Sequence, residues 1–220
     1  MRHEVQSDLP KLGHRDYIQG GSIFNDFLDI SDQLFAPEWL DGAVITSFKL
    51  QRESFGNGRI IIADTGLEDV DANAAMIAKS PSRTVYAYYI DDGRPARREP
   101  YDEESFYQAV HVGTGVDGEF RFPRGRPRGD FVRAVVGANK RVHQKTDRFG
   151  APLTHIQFLY LKGLDARCLR RSRDEYRVVI ANVSVQDRGS EIWTINRVAV
   201  SSEGFSSEFR ICYRGTKDTQ

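Results

Sequence analysis

The chain has 220 residues, 40% of them hydrophobic and 28% charged, a balance that excludes a disordered or fibrous chain and suits one or two globular domains. Its 31 basic and 31 acidic side chains cancel, which argues against a nucleic-acid binder, since such proteins usually carry a basic excess. No apolar run approaches the ~20 residues that cross a bilayer, so no membrane partner is expected.

Residues 1–15 are polar and read as a tail or a short edge strand, with no apolar signal-peptide core. From Ser22 to Ile30, the residues Ile23, Phe27 and Ile30 recur at i, i+4 and i+7, with Phe24 and Leu28 beside them, which makes one apolar helix face. Residues 42–52 (GAVITSFKLQR) and 59–64 (RIIIAD) carry strand signals, and Phe55-Gly56-Asn57-Gly58 between them predicts a hairpin. An acidic loop with a short helix at Ala72–Lys79 follows, then a strand over 83–91 closed by a turn at Asp91-Asp92-Gly93. A charged crossing over 94–104 leads to further strands at 105–112 and 119–122. The segment PRGRPRG at 123–129 punctuates the chain, and 130–143 predicts a second helix. Four strands, 153–162, 175–186, 190–200 and 205–214, close the chain in the pattern of an antiparallel meander. No βαβ alternation occurs, so the class is α+β.

The two helical segments can be laid over one another. Asp16-Tyr17-Ile18-Gln19 reaches Asn25 nine residues after its Asp, and Asp130-Phe131-Val132-Arg133 reaches Asn139 at the same distance. Each is followed by an apolar strand, which suggests one unit occurring twice, against the alternative of a single irregular α+β domain.

Gly20-Gly21-Ser22-Ile23-Phe24 resembles the Gly-Gly-initiated helix of hotdog acyl-thioesterases. Asp16-Tyr17-Ile18-Gln19-Gly20 is similar to the Asp-His-x-x-Gly segment of double-hotdog dehydratases and of the A-factor biosynthesis family. The resemblance implies two tandem hotdog-like units, 1–116 and 117–220, each a central helix against an antiparallel sheet. It departs from those families at particular residues. Gln19 stands where thioesterases often have His, Asn25, with Asp26 next to it, stands where related enzymes often carry Glu, and the His-x-x-x-Gly-x-x-x-x-Pro motif of the dehydratases is missing. The second unit has no glycine pair, only Gly137 within its helix.

What the resemblance implies for function is an enzyme acting on an acyl thioester by hydrolysis, dehydration or acyl transfer, in fatty-acid or polyketide-type metabolism. Coenzyme A or phosphopantetheine would enter as part of the substrate, with no other cofactor. The partners would be acyl-coenzyme A or an acyl carrier protein, and a homodimer is allowed. Gly20 and Gly21, lacking Cβ atoms, would let the carbonyl approach backbone N–H groups aimed from a helix N-terminus. Asn25 and Asp26 would orient or activate water, and Asp130 with His14 would form an acid–base pair. Asp16, Tyr17 and Asn139 would contact substrate. The bland alternatives are a tight helix entry at the glycines, solvated helix polar groups, and an N-cap at Asp130. A non-catalytic acyl-binding or protein-interaction scaffold of the same fold is the alternative function.

Other chemistry has little support. His111, His143 and His155 each stand alone, and Cys168 and Cys212 fit no metal spacing, so no metal site is expected. Low cysteine use points to a reducing, cytoplasmic setting. Trp193 and the tyrosines 86, 88 and 89 could stack nucleic-acid bases, but no RNA-binding motif accompanies them. Phosphate-binding glycine loops and a nucleophile elbow are absent from the sequence. The basic segments 121–128 and 167–173 and the acidic segments 64–71 and 102–104 read as solvated loops, or as one basic loop (124–128 or 170–173) that meets an anionic group such as the pantetheine phosphate.

Overall fold

A computed structural model describes residues 1–35, 37–102, 105, 111–112, 118–124, 128–144, 153–169 and 175–217. The chain divides into two compact units, Met1–Asp102 and Glu103–Gln220. The boundary expected at 116/117, most of the strand expected at 105–112, and most of the two basic loops lie outside the described residues.

The first unit runs β1 (Arg2–Ser7), β2 (Lys11–Leu12), α1 (Gly20–Phe35), β3 (Val44–Leu50), β4 (Asn57–Ala63), β5 (Ala74–Lys79), β6 (Thr84–Arg94) and β7 (Arg98–Glu99). Its main sheet has the order β1-β4-β6-β5-β3, antiparallel throughout, so the polar N-terminus is an edge strand. Strands β2 and β7 form a short parallel pair.

Three expectations are corrected here. Strands β3 and β4 do not form a hairpin: β3 pairs with β5, while β4 lies between β1 and β6. The chain after β3 is drawn instead towards Asn73, whose carbonyl accepts from the N–H groups of Gln51 and Arg52 (2.8 and 3.2 Å) and whose amide donates to the Glu53 carbonyl (3.1 Å). Residues 74–79 are strand β5 rather than helix. Ala74, Met76 and Ala78 face inward at period two, and pairing on both sides overrides the helix preference of alanine. The turn expected at Asp91–Gly93 is a bulge: β6 continues to Arg94, and the extra residues are taken up where Asn57 pairs with Arg94 and Gly58 with Asp91. Gly58 is demanded by this close approach, since a Cβ there would run into the Ile90 carbonyl.

Helix α1 packs on β4 and β5 and buries Ile23, Phe24, Phe27, Leu28 and Ile30. Phe24 and Phe27 meet Phe48 edge-on, with centroids 5.4 and 6.2 Å apart.

The second unit runs β8 (His111–Val112), β9 (Gly118–Phe122), α2 (Arg128–Gln144), β10 (Leu153–Lys162), β11 (Leu164–Asp165), β12 (Tyr176–Arg188), β13 (Glu191–Ser202) and β14 (Phe205–Lys217). Its antiparallel order is β10-β14-β13-β12-β9-β8. Two-residue turns join β12 to β13 and β13 to β14. Gly189 and Gly204 adopt φ of 77° and 71° there, as such hairpins require. Phe131 of α2 seats among Phe122, Tyr176 and Phe209.

The two helix starts do not share the phase that the sequence suggests. Asp16 lies in the loop ahead of α1, whereas Asp130 lies inside the first turn of α2. The neutral overall charge also conceals a split. Eleven basic and 17 acidic residues give the first unit −6, and 20 basic and 14 acidic residues give the second +6. Among the described residues no helix is long and apolar enough to cross a membrane.

Candidate functional site

In the first unit the entry to α1 is enclosed. The N–H of Ile18, itself fully buried, donates to the Ser54 carbonyl (2.7 Å), which ties the approach to α1 to the loop after β3. The Gln19 carbonyl then accepts from the N–H groups of Ser22 and Ile23 (2.9 and 3.2 Å) and closes the first turn. Gly20, Gly21 and Ser22 are buried. The Ser22 and Ser54 hydroxyls are buried as well, and no other described group reaches either.

Asp26 lies on the next turn, half-buried, and its Oδ2 accepts from Ser7 Oγ on β1 at 2.5 Å. Burial pushes its carboxyl above the ordinary value. The Ser7 hydrogen bond opposes that rise, while Asp29 and Asp8 add to it. Asn25 is half-buried beside it, and Asp29 is exposed. The other expected residues of this unit are arranged differently. Arg98 gathers the segment ahead of the helix, donating to the carbonyls of Gly13 (2.7 Å) and Arg15 (3.0 Å) and to Asp16 Oδ1 (2.8 Å). Asp16 is thereby held in an exposed ion pair. Tyr17 is half-buried, and His14 is exposed with no hydrogen bond among the described residues.

In the second unit Asp130 is half-buried in the first turn of α2. Asn139 is fully buried within a polar network that the sequence reading missed. His143, one turn further along α2, places Nδ1 2.7 Å from the Asn139 carbonyl and Nε2 2.8 Å from Thr194 Oγ1. The Asn139 amide nitrogen also lies 3.1 Å from Nδ1, so a carbonyl acceptor and an amide donor share that ring nitrogen, and the tautomer sets whether Nε2 accepts from the threonine hydroxyl or donates to it. Asn196 donates to Asn139 Oδ1 (2.6 Å), and Asn182 donates to Asn196 Oδ1 (2.9 Å). Burial holds His143 below the usual imidazole range, partly offset by the bond to the Asn139 backbone. The Tyr213 ring lies 6.0 Å from the imidazole.

An imidazole hydrogen-bonded to a hydroxyl is an arrangement that acid–base chemistry uses. Thr194 and His143 are only 1% and 3% exposed, however, so the arrangement joins helix to sheet rather than facing a ligand. The signal was available in the sequence. Asn139 and His143 are spaced i, i+4 on the face that carries Val135 and Val142, and Thr194 and Asn196 share the inward side of β13 with Ile192 and Val198. Among the described residues no three His, Cys, Asp or Glu side chains cluster to hold a metal ion.

The sequence matches no protein-family model and no curated protein. Solved structures do resemble it. The dehydratase domain of PpsC from Mycobacterium tuberculosis, in complex with C12:1-CoA, aligns at a TM-score of 0.50 and 12% identity over 98% of this chain and 93% of that one. The dehydratase domain of RzxB from Pseudomonas fluorescens aligns at 0.48 and 9%, over 96% and 93%. A protein assigned as an oleoyl thioesterase, from Lactobacillus plantarum, aligns at 0.48 and 8%, over 99% and 98%. Helix on antiparallel sheet, together with the PpsC likeness, makes this chain a hotdog-fold protein.

Proposed function

We propose that the chain processes an acyl thioester, borne by coenzyme A or an acyl carrier protein, and that α1 supplies the chemistry. The two units, near 1–116 and 117–220, would then be tandem hotdogs. The observation that carries this reading is Asp26, a half-buried carboxyl of raised pKa less than two turns from a buried, glycine-led helix start. Such a carboxyl exchanges protons at a higher pH than an exposed aspartate, as acid–base catalysis asks. In hydrolysis, Gly20 and Gly21 would direct backbone N–H groups at the thioester carbonyl oxygen as negative charge develops. Asp26, steadied by Ser7 and flanked by Asn25, would take a proton from the attacking water. The carbonyl–sulfur bond would then break, and the departing thiolate would receive that proton. His14 and Asp130 would serve a dehydration, and Asp16 and Tyr17 the substrate contacts. Coenzyme A in the PpsC complex is in keeping with the substrate class.

The second reading is a non-catalytic acyl-binding scaffold. Asn139, sealed in its network, and Asp16, held by Arg98, favour it.

Mass spectrometry of the protein incubated with short, long and 3-hydroxy acyl thioesters, on coenzyme A and on carrier protein, tests both. Free acid or loss of water is expected, and Asp26→Asn should lower the rate at least ~100-fold, the low end for loss of an acid–base group. Thioesters that bind but return unchanged would select the scaffold. Thioesters neither bound nor altered would remove the reading altogether.

A further inference from the structure

The outer face of the second unit's sheet carries a row of cations on directly paired positions. Lys162 of β10 stands opposite Arg210 of β14, and Arg210 opposite Arg197 of β13. All three are exposed, on strands about 4.8 Å apart. Like charges in such positions repel and destabilise a sheet. Glu208 reaches Arg197 at 3.7 Å, but no hydrogen bond or ion pair among the described residues engages Lys162 or Arg210. The neighbouring row, Tyr160, Cys212 and Ile195, is half-buried and mostly apolar. The first unit holds the opposite arrangement. On its 64–71 loop, Asp64 pairs with the N-terminal amine and Asp71 with Arg52. Glu68 and Asp69 are exposed and engaged by no described group, and Asp69 adopts the left-handed φ of 58°.

From this charge complementarity we infer that the Lys162–Arg210–Arg197 row is a docking face for a second copy of this chain, which presents its Glu68–Asp69 loop. A chain split into −6 and +6 is its own counter-charge. A nucleic acid fits less well, since Glu191 and Glu208 share the basic face and the first unit would repel a polyanion. The contact is head-to-tail, because each copy carries both halves. It is independent of the acyl-thioester reading.

Sedimentation velocity of the full chain tests it, at about 50 mM and about 500 mM salt, between which the screening length falls from above ~10 Å to a few Å. The expected result is a concentration-dependent larger species at low salt that dissociates at high salt. Arg210→Glu, Lys162→Glu and the pair Glu68→Lys with Asp69→Lys should each remain monomeric at low salt, with unchanged circular dichroism. Mixing Arg210→Glu with the loop variant should then restore association, because each supplies the half the other lacks. That mixture must stop at one-to-one. A wild-type chain that stays monomeric at every concentration overturns the inference, and so does association indifferent to both sets of variants. If the monomer instead binds polyglutamate or a single-stranded oligonucleotide through Arg210, the face belongs to a foreign partner and self-docking is wrong.

Discussion

Helix α1 meets its sheet through Ile23, Phe24, Phe27 and Leu28 and keeps its partly buried carboxyl, Asp26, against the edge strand at Ser7. Helix α2 meets its sheet first through Phe131, Val132 and Val135, and then through Asn139 and His143, bonded to Asn196 and Thr194. One interface is largely apolar with a half-buried carboxyl at its margin. The other is apolar at one end and a satisfied polar network at the other. An apolar interface tolerates sliding and repacking, whereas a buried hydrogen-bonded network favours a single register. The second helix is the more narrowly specified of the two, and the first is the one that carries a half-buried carboxyl of raised pKa.

That contrast can be broken most forcefully at the aromatic anchors. Phe24→Ala and Phe131→Ala should each cost about 3–5 kcal/mol. Each unit holds one of the two tryptophans, Trp39 and Trp193, so Trp193→Phe and Trp39→Phe backgrounds report the first and second units separately in thermal unfolding. Each anchor variant should lower chiefly the transition of its own unit. Next in size, Asn139→Ala should cost the second unit about 1–3 kcal/mol by leaving the Asn196 amide buried without its acceptor.

Acidity should separate the helices by sign. His143 titrates below its ordinary value of 6.5 in the folded chain. As the pH falls below about 6.5, the unfolded chain takes up a proton that the folded one resists, so the second unit loses stability until the folded value is passed. Asp26 is shifted upward, so the folded chain takes its proton first. As the pH falls through that folded value towards 3.8, the first unit gains stability relative to an Asp26→Asn variant. Melting curves of wild type against His143→Gln and Asp26→Asn, between pH 4 and pH 8, should show differences of opposite slope. The smallest effect belongs to Arg177→Ala. It removes an exposed pair with Glu119 and should leave both transitions where they were.

What could be read from the sequence followed from local pattern. The four strands over 153–214 alternate strongly and are joined by short turns, and both helices show an apolar face, so these elements stand close to their expected bounds. Ala74–Lys79 could not be read, because its composition favours a helix and only its two partner strands make it a strand. The β3–β4 connection failed for the same reason: Asn73 and Asp91, remote in sequence, capture its backbone. At the candidate site, the placing of Asp26 and the glycines on one helix was legible. Ser7, which holds Asp26, lies 19 residues away, and Thr194, which completes His143, lies 51 residues away. Local pattern puts Thr194 on the inward side of its strand, but only the tertiary fold says which group each partner meets.

The two-residue turns at Gly189 and Gly204 bear on how the molecule is made. They bring β12, β13 and β14 together through contacts between near neighbours in the chain, so little loop entropy opposes them. In the first unit β1 waits for β4, with Arg2 finding Ala63 across some sixty residues. The second unit has its own distant closure, since Leu153 of β10 must find Lys217 of β14, but the β12–β13–β14 hairpins give that closure a preformed sheet to join, whereas β1 adds to strands that are themselves paired out of chain order.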